Sequence, residues 1–161
     1  MTAPGGFVAG DVLGAADMNG LPGGVKGYAE ATTNQASIGT SFTDLTSLSV
    51  TFTAVTGRRY KITVYTNFFG SAANVPAEVN IYNSTSAAQL TSGGAYTGAA
   101  GGGTNNDEVS TVTATWSGAI SAGSTTIKAR ARRGVSGSGT ITSYATSTSP
   151  AFILVEDIGP T

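Results

Sequence analysis

The sequence predicts an all-β chain, an antiparallel β-sandwich of jelly-roll-like form behind an N-terminal extended arm that contains a short helical turn. Three observations predict it. From about Val25 onward apolar and polar residues alternate with period two, and no 11-residue window carries a convincing helical period. Gly, Ser and Thr supply 65 of the 161 residues, so that Gly-Ser clusters punctuate Val- and Thr-rich runs that suit a pleated, half-buried surface. The hydrophobic fraction of 40% and net charge of −1 lack the signature of disorder. A chain of about 150 residues buries roughly 68–70% of its unfolded surface, which is room for one sizeable core.

Residues 1–24 form the arm and residues 25–161 the sandwich domain. The arm is rich in Gly and Pro around Asp11-Val12-Leu13-Gly14-Ala15-Ala16-Asp17-Met18-Asn19-Gly20. Ala15 to Met18 can make one helical turn, with Asp17 favouring its N-terminal end and Asn19-Gly20 stopping it. Such a turn is too short to be stable alone. The arm's apolar residues, Phe7, Val8, Val12, Leu13, Met18 and Leu21, therefore need a surface to pack on, in the same domain or on a partner chain.

In the body, Leu48, Val50 and Phe52 alternate with polar neighbours, as do Tyr60, Ile62 and Val64 after the turn Thr56-Gly57, and the pair reads as a hairpin. Further strands are marked by Val79 and Ile81, Val109 to Trp116, Thr125 to Arg132 and Ala151 to Ile158. Weaker candidates lie at Val25–Ala31, Phe42–Leu45 and Thr140–Tyr144. Eight or so short strands imply two facing antiparallel sheets. Ser92 to Gly103 and Gly134 to Gly139 read as loops, the first long enough to be a mobile tip or to be ordered by a neighbouring subunit.

Much chemistry is excluded. The chain has no Cys and no His, so a thiol nucleophile, a thiolate metal site and the usual general base near neutral pH are all missing. No export signal or membrane-length apolar run is present, and no cofactor is expected. The glycines lack the strand-to-helix context of a nucleotide site. Asn105-Asn106-Asp107-Glu108 has oxygen donors without the spacing of a calcium loop, and a solvated turn is the better reading. Asp107 with Glu108, or Glu156 with Asp157, would point to opposite faces of a strand and so cannot act as an acid and base on one atom.

Seven of the eight Lys and Arg residues fall at Arg58-Arg59-Lys61 and at Lys128-Arg130-Arg132-Arg133. Lys128, Arg130 and Arg132 alternate with Ile127, Ala129 and Ala131, which sets a cationic row on one face of a strand. Such a row either pairs with carboxylates on an exposed sheet or meets an acidic subunit or anionic surface polymer. Nucleic acid is not expected at a net charge of −1 with no recognised binding module. Tyr65, Phe68, Phe69, Tyr82, Tyr96 and Trp116 are available for a sugar platform, although period-two placement makes most of them packing residues and leaves Tyr96 as the exposed one. Asn83-Ser84-Thr85 matches a glycosylation sequon. Arg58, Arg59, Tyr96, Lys128, Arg130 and Arg132 are thus the candidate surface-contact residues.

The phrase Phe7-Val8-Ala9-Gly10-Asp11-Val12-Leu13-Gly14-Ala15-Ala16-Asp17-Met18-Asn19 resembles the opening of small virion proteins of tailed bacteriophages, particularly those infecting actinobacteria. Those proteins commonly have Thr as helix cap where this chain has Gly14, a weaker cap. The body is similar to them at Thr33-Asn34-Gln35, Phe42-Thr43-Asp44-Leu45, Leu48-Ser49-Val50-Thr51, Gly57-Arg58-Arg59-Tyr60-Lys61-Ile62 and Pro150 to Gly159. The resemblance implies a non-enzymatic accessory protein of the virion, a minor tail protein or short fibre, with a β-sandwich body that tends to trimerise. It implies partners in sister copies and other virion proteins, no membrane, and assembly in the host bacterial cytoplasm. Capsid decoration is the alternative, and a carbohydrate- or host-surface-binding module a further one.

Overall fold

A computed structural model describes residues 21–72, 75–96, 110–135 and 138–161. The arm's Phe7, Val8, Val12, Leu13 and Met18, its expected helical turn, and Asn105 to Glu108 lie outside the described residues. Ten strands follow one another, and the described residues contain no helix. They are β1 (Gly24–Ala31), β2 (Gln35–Ile38), β3 (Thr43–Ala54), β4 (Arg58–Gly70), β5 (Pro76–Asn83), β6 (Ala88–Tyr96), β7 (Ser110–Ala119), β8 (Gly123–Arg133), β9 (Ile141–Tyr144) and β10 (Ala151–Pro160).

The 13-residue β4 organises the first sheet. β7 runs along one edge of β4, while β10 and then β9 share its other edge, the first opposite residues 58–65 and the second opposite residues 67–70. β1 adds to β10 and β2 to β9. The second sheet has the order β3-β8-β5-β6. With the short β2 and β9 set aside, the eight remaining strands, counted along the chain, lie in the orders 1-8-3-6 and 2-7-4-5, every pair antiparallel. This is the jelly roll that the alternation predicts.

The core lies between the sheets. Tyr60, Ile62, Val64 and Phe68 of β4 and Ile153 and Val155 of β10 face Val50 and Phe52 of β3, Val79 and Ile81 of β5, and Ile127, Ala129 and Ala131 of β8, all buried. Complete burial of one Val, Ile or Phe side chain contributes about 1.5–3 kcal/mol, so this continuous cluster dominates the stability of the body. Two hydroxyls in the interior, of Thr66 and Ser143, satisfy each other at 3.0 Å. At one margin the sheets close so tightly that a Cβ on Gly27 of β1 would overlap Cγ1 of Val50 on β3.

Three expectations are corrected. β3 and β4 are not a hairpin: β3 pairs with β8, and β4 pairs with β10 and β7, so the turn at Thr56-Gly57 carries the chain from one sheet to the other. Both strands bury alternate residues in the same core, where the rings of Phe52 and Tyr60 meet at 5.0 Å, and that alternation is the one a hairpin would show. Phe42–Leu45 is not a separate strand, because Thr43 to Leu45 begin β3, whose register against β8 slips between Asp44 and Ser49 at a bulge where Ser47 has φ 66°. Ser92 to Tyr96 is strand rather than loop, pairing with residues 76–80 of β5. β2 was also not anticipated.

Candidate functional site

On β8 the alternation sends Lys128, Arg130 and Arg132 to the outer face of the second sheet, and the register sets carboxylates beside them. Asp44 lies opposite Arg130 on β3, and Glu78 lies opposite Arg132 on β5. Lys128 Nζ donates to Asp44 Oδ2 at 2.6 Å, and Arg130 Nε lies 3.3 Å from Asp44 Oδ1. Arg132 grips Glu78 Oε2 through both Nε and Nη2 at 2.7 Å. Aromatic faces cover the guanidiniums, that of Arg130 lying 4.5 Å from the Tyr82 ring centroid and that of Arg132 4.3 Å from Phe42. Three cations meet two carboxylates, so the row is a paired network across three strands rather than an open cationic surface.

The outer face of the first sheet carries aromatic side chains. Tyr28, Phe152 and Tyr65 stack across β1, β10 and β4 with centroids 6.0 and 5.3 Å apart, and Phe69 meets Tyr144 edge-on at 6.1 Å. Phe68 is in the core and Trp116 packs half-buried against it. The backbone of Tyr96 pairs with Pro76 at the end of β6. Asn83 is buried, and its Oδ1 accepts the amides of Thr85 and Ser86 in its own turn.

Arg58, Arg59 and Lys61 do not act together. Lys61 faces Glu156 at 3.6 Å on the outer sheet surface, Arg59 is exposed, and Arg58 turns toward Asp157. Glu156 and Asp157 therefore point to opposite sides, as adjacent strand residues must. Asp157 is 4% exposed and receives Arg58 Nε at 3.1 and 3.0 Å and Nη2 at 2.8 Å, with Lys26 Nζ at 3.8 Å. The amide of Gly159 donates to its Oδ1 at 3.0 Å. Burial pushes the Asp157 carboxyl up, but the hydrogen bonds and charge of Arg58 and the amides of Gly159 and Gly23 outweigh it and hold the group below its usual value.

The same guanidinium fixes the root of the arm, since Arg58 Nη2 donates to the carbonyl of Leu21 at 2.6 Å. This basal end of the sandwich gathers the start of β1, the β3–β4 turn and the finish of β10. A cleft of about 560 Å³ there is lined by Leu21, Pro22, Lys26, Val55, Thr56, Gly57, Arg58, Asp157 and Pro160. Four of the six exposed large hydrophobic residues among those described, Leu21, Val25, Val55 and Ile158, lie at this end. A smaller cleft of about 200 Å³ beside it is lined largely by small and hydroxyl side chains, including Thr85, Ser86, Ser121 and Ser124. At the opposite end of the sandwich β6 stops and β7 begins. Among the described residues, no three carboxylates gather as a metal site would need. Sequence reasoning missed Asp157, Asp44, Glu78 and Phe42 as partners, because each acts on a residue distant along the chain and only the strand order brings them together.

No protein-family model matches the chain, and no curated protein matches it. Among solved structures the chain is similar to VP2 in an infectious bursal disease virus subviral particle, with 14% identity and a TM-score of 0.53, over 98% of this chain and 37% of that one. It is also similar to a chain of the Gt strain of the same virus, with 12% identity and a TM-score of 0.47 over 99% and 43% of the two chains. Eiger TNF from S. frugiperda is similar at 11% identity and a TM-score of 0.47, over 86% and 95%. The chain spans under half the length of the two viral chains. The VP2 likeness shows the fold, a jelly roll.

Proposed function

We propose that the chain is a non-enzymatic structural protein of a tailed-phage virion, associated with the tail, whose residues 1–24 dock it on the particle while the jelly roll projects. The observation that carries the reading is the anchored arm root: Arg58 ties Leu21 to buried Asp157 at one end of a rigid sandwich. An arm held this way transmits load from its docking partner into β4 and β10 rather than into a loop. β6 stops and β7 begins at the other end, which suits a body that presents one end to the particle and the other outward. The resemblance of the arm phrase to phage virion proteins supports the same reading, and such proteins supply the expectation of a homotrimer. VP2 of a subviral particle uses this fold too, which fits a particle-building role and makes head decoration the second reading.

A host-glycan reading draws less support, because Asp44 and Glu78 already occupy the basic row. Antibody labelling of intact virions tests the proposal. Label along the tail is the expected result, label over the head supports decoration, and absence of the protein from purified particles contradicts both.

A further inference from the structure

We propose that the smaller cleft, of about 200 Å³, binds a single neutral sugar ring, with the side-chain amide nitrogen of Asn83 as its fixed donor. The inference is independent of the role given to the arm, and the site does not involve the basic row of β8. The cleft opens between the two sheets, walled by the β5–β6 turn on one side and the β7–β8 turn on the other. Asn83 ends β5 and is 6% exposed. Its Oδ1 accepts the amides of Thr85 and Ser86 at 3.0 and 3.2 Å, and two N–H donors can be met only by the oxygen, so the orientation of the side chain is settled. Nδ2 is left without a partner among the described residues, yet it is not sealed from solvent. The cleft is the surface that Asn83 lines, and Nδ2 therefore presents its protons there. A donor held in place by the fold costs little ordering entropy when an acceptor arrives.

The lining selects the class of occupant. Among the described residues no charged and no aromatic side chain lines the cleft. An ion would lose its water there without a counter-charge, a nucleobase would find no ring to stack on, and an extended peptide needs a groove rather than a pit. Ser86, Ser121 and Ser124 add exposed hydroxyls whose oxygens make no hydrogen bond with any described residue, and each can both donate and accept. A ligand rich in hydroxyls matches that pattern. The floor is the end of the core, with Ile120 at 7% exposed and Leu90 packed against the same cluster. An apolar floor under a polar rim fits a pyranose, whose C–H face is apolar and whose edge carries hydroxyls. Sites for drug-sized ligands occupy roughly 300–1,000 Å³, so this cleft holds one ring and not a chain of them.

The test uses the full chain, isotope-labelled for amide NMR, and the methyl glycosides of glucose, galactose, mannose and N-acetylglucosamine. At least one is expected to shift the Asn83 side-chain NH₂ signal and the backbone amides of Ser86, Ser121 and Ser124 saturably. A dissociation constant of about 1 mM is expected for one small ring. Ala122→Leu places a larger side chain at the exposed mouth of the cleft without touching the core, and should weaken that binding about tenfold while the thermal midpoint holds. No shift with any glycoside at about 100 mM, a hundredfold above that constant, overturns the proposal. So does an equal shift with glycerol, which would make the cleft a seat for any small polyol. Glucuronate binding in preference to glucose, shifts that leave the Asn83 NH₂ unmoved, or binding indifferent to Ala122→Leu overturn it as well. A disaccharide of the best sugar then separates the sources. Undiminished binding identifies the end of a glycan chain and lost binding a free sugar, and each supports the site.

Discussion

Asp157 gives up nearly all its water on folding and stays ionised because Arg58 and the amides of Gly159 and Gly23 replace that water. Replacing Arg58 with Met leaves the buried carboxylate with the amides of Gly159 and Gly23 and only the distant Lys26 as a cation, and a loss of about 3 kcal/mol is expected, read from chemical denaturation. The pH dependence follows from the lowered value. Stability supplied by Asp157 is complete above the ordinary Asp range near ~3.9 and is lost as pH falls through the lower folded value. Denaturation midpoints of the native protein should therefore fall on acidification below about pH 4, and Asp157→Asn should flatten that slope while lowering stability at neutral pH. Gly27 is a second residue whose identity is dictated by its surroundings. Gly27→Ala drives a methyl into Val50 and should cost about 1–3 kcal/mol, measured in the same way. Neither residue stands out in the sequence, because Asp157 looks like half of an acidic pair and Gly27 is one glycine among 23.

Among the elements, β4, β8 and β10 are legible because each buries every second residue over four or more positions. The connection between β3 and β4 was misread because period two reports which face is buried and says nothing about the neighbour a strand pairs with. That corner is held in part by the Tyr60 hydroxyl, which accepts the amide of Val55 at 2.8 Å. Tyr60→Phe should cost about 1 kcal/mol and raise amide exchange at Val55, whereas an unchanged exchange rate would mean that the turn stands without it. β6 was hidden by Gly93 and Gly94, which read as loop residues. In the fold Gly93 lies against β7, where a Cβ would sit 3.3 Å from the carbonyl of Thr113, so glycine serves close approach of the two sheets. The basic row on β8 was visible in the sequence, but its neutralisation was not, since Asp44 lies 84 residues from Lys128 and Glu78 54 residues from Arg132.

At the scale of the molecule, the jelly roll supplies an asymmetry that composition alone could not show. One end carries the arm root, the Asp157 clamp, the larger cleft and, among the described residues, most of the large exposed apolar side chains, while at the other β6 stops and β7 begins. The absence of Cys and His removes thiol and imidazole chemistry, and the fold adds an end at which a cleft and exposed apolar side chains gather. The role proposed for the arm is to attach the protein to the particle. The measurement that tests it most directly is the amount of protein in purified virions when residues 1–20 are removed, compared with the full chain, alongside the thermal unfolding of both. The expected result is a body that unfolds at nearly the same temperature and is absent from the particles. A body that folds and enters virions at the level of the full chain would contradict the claim.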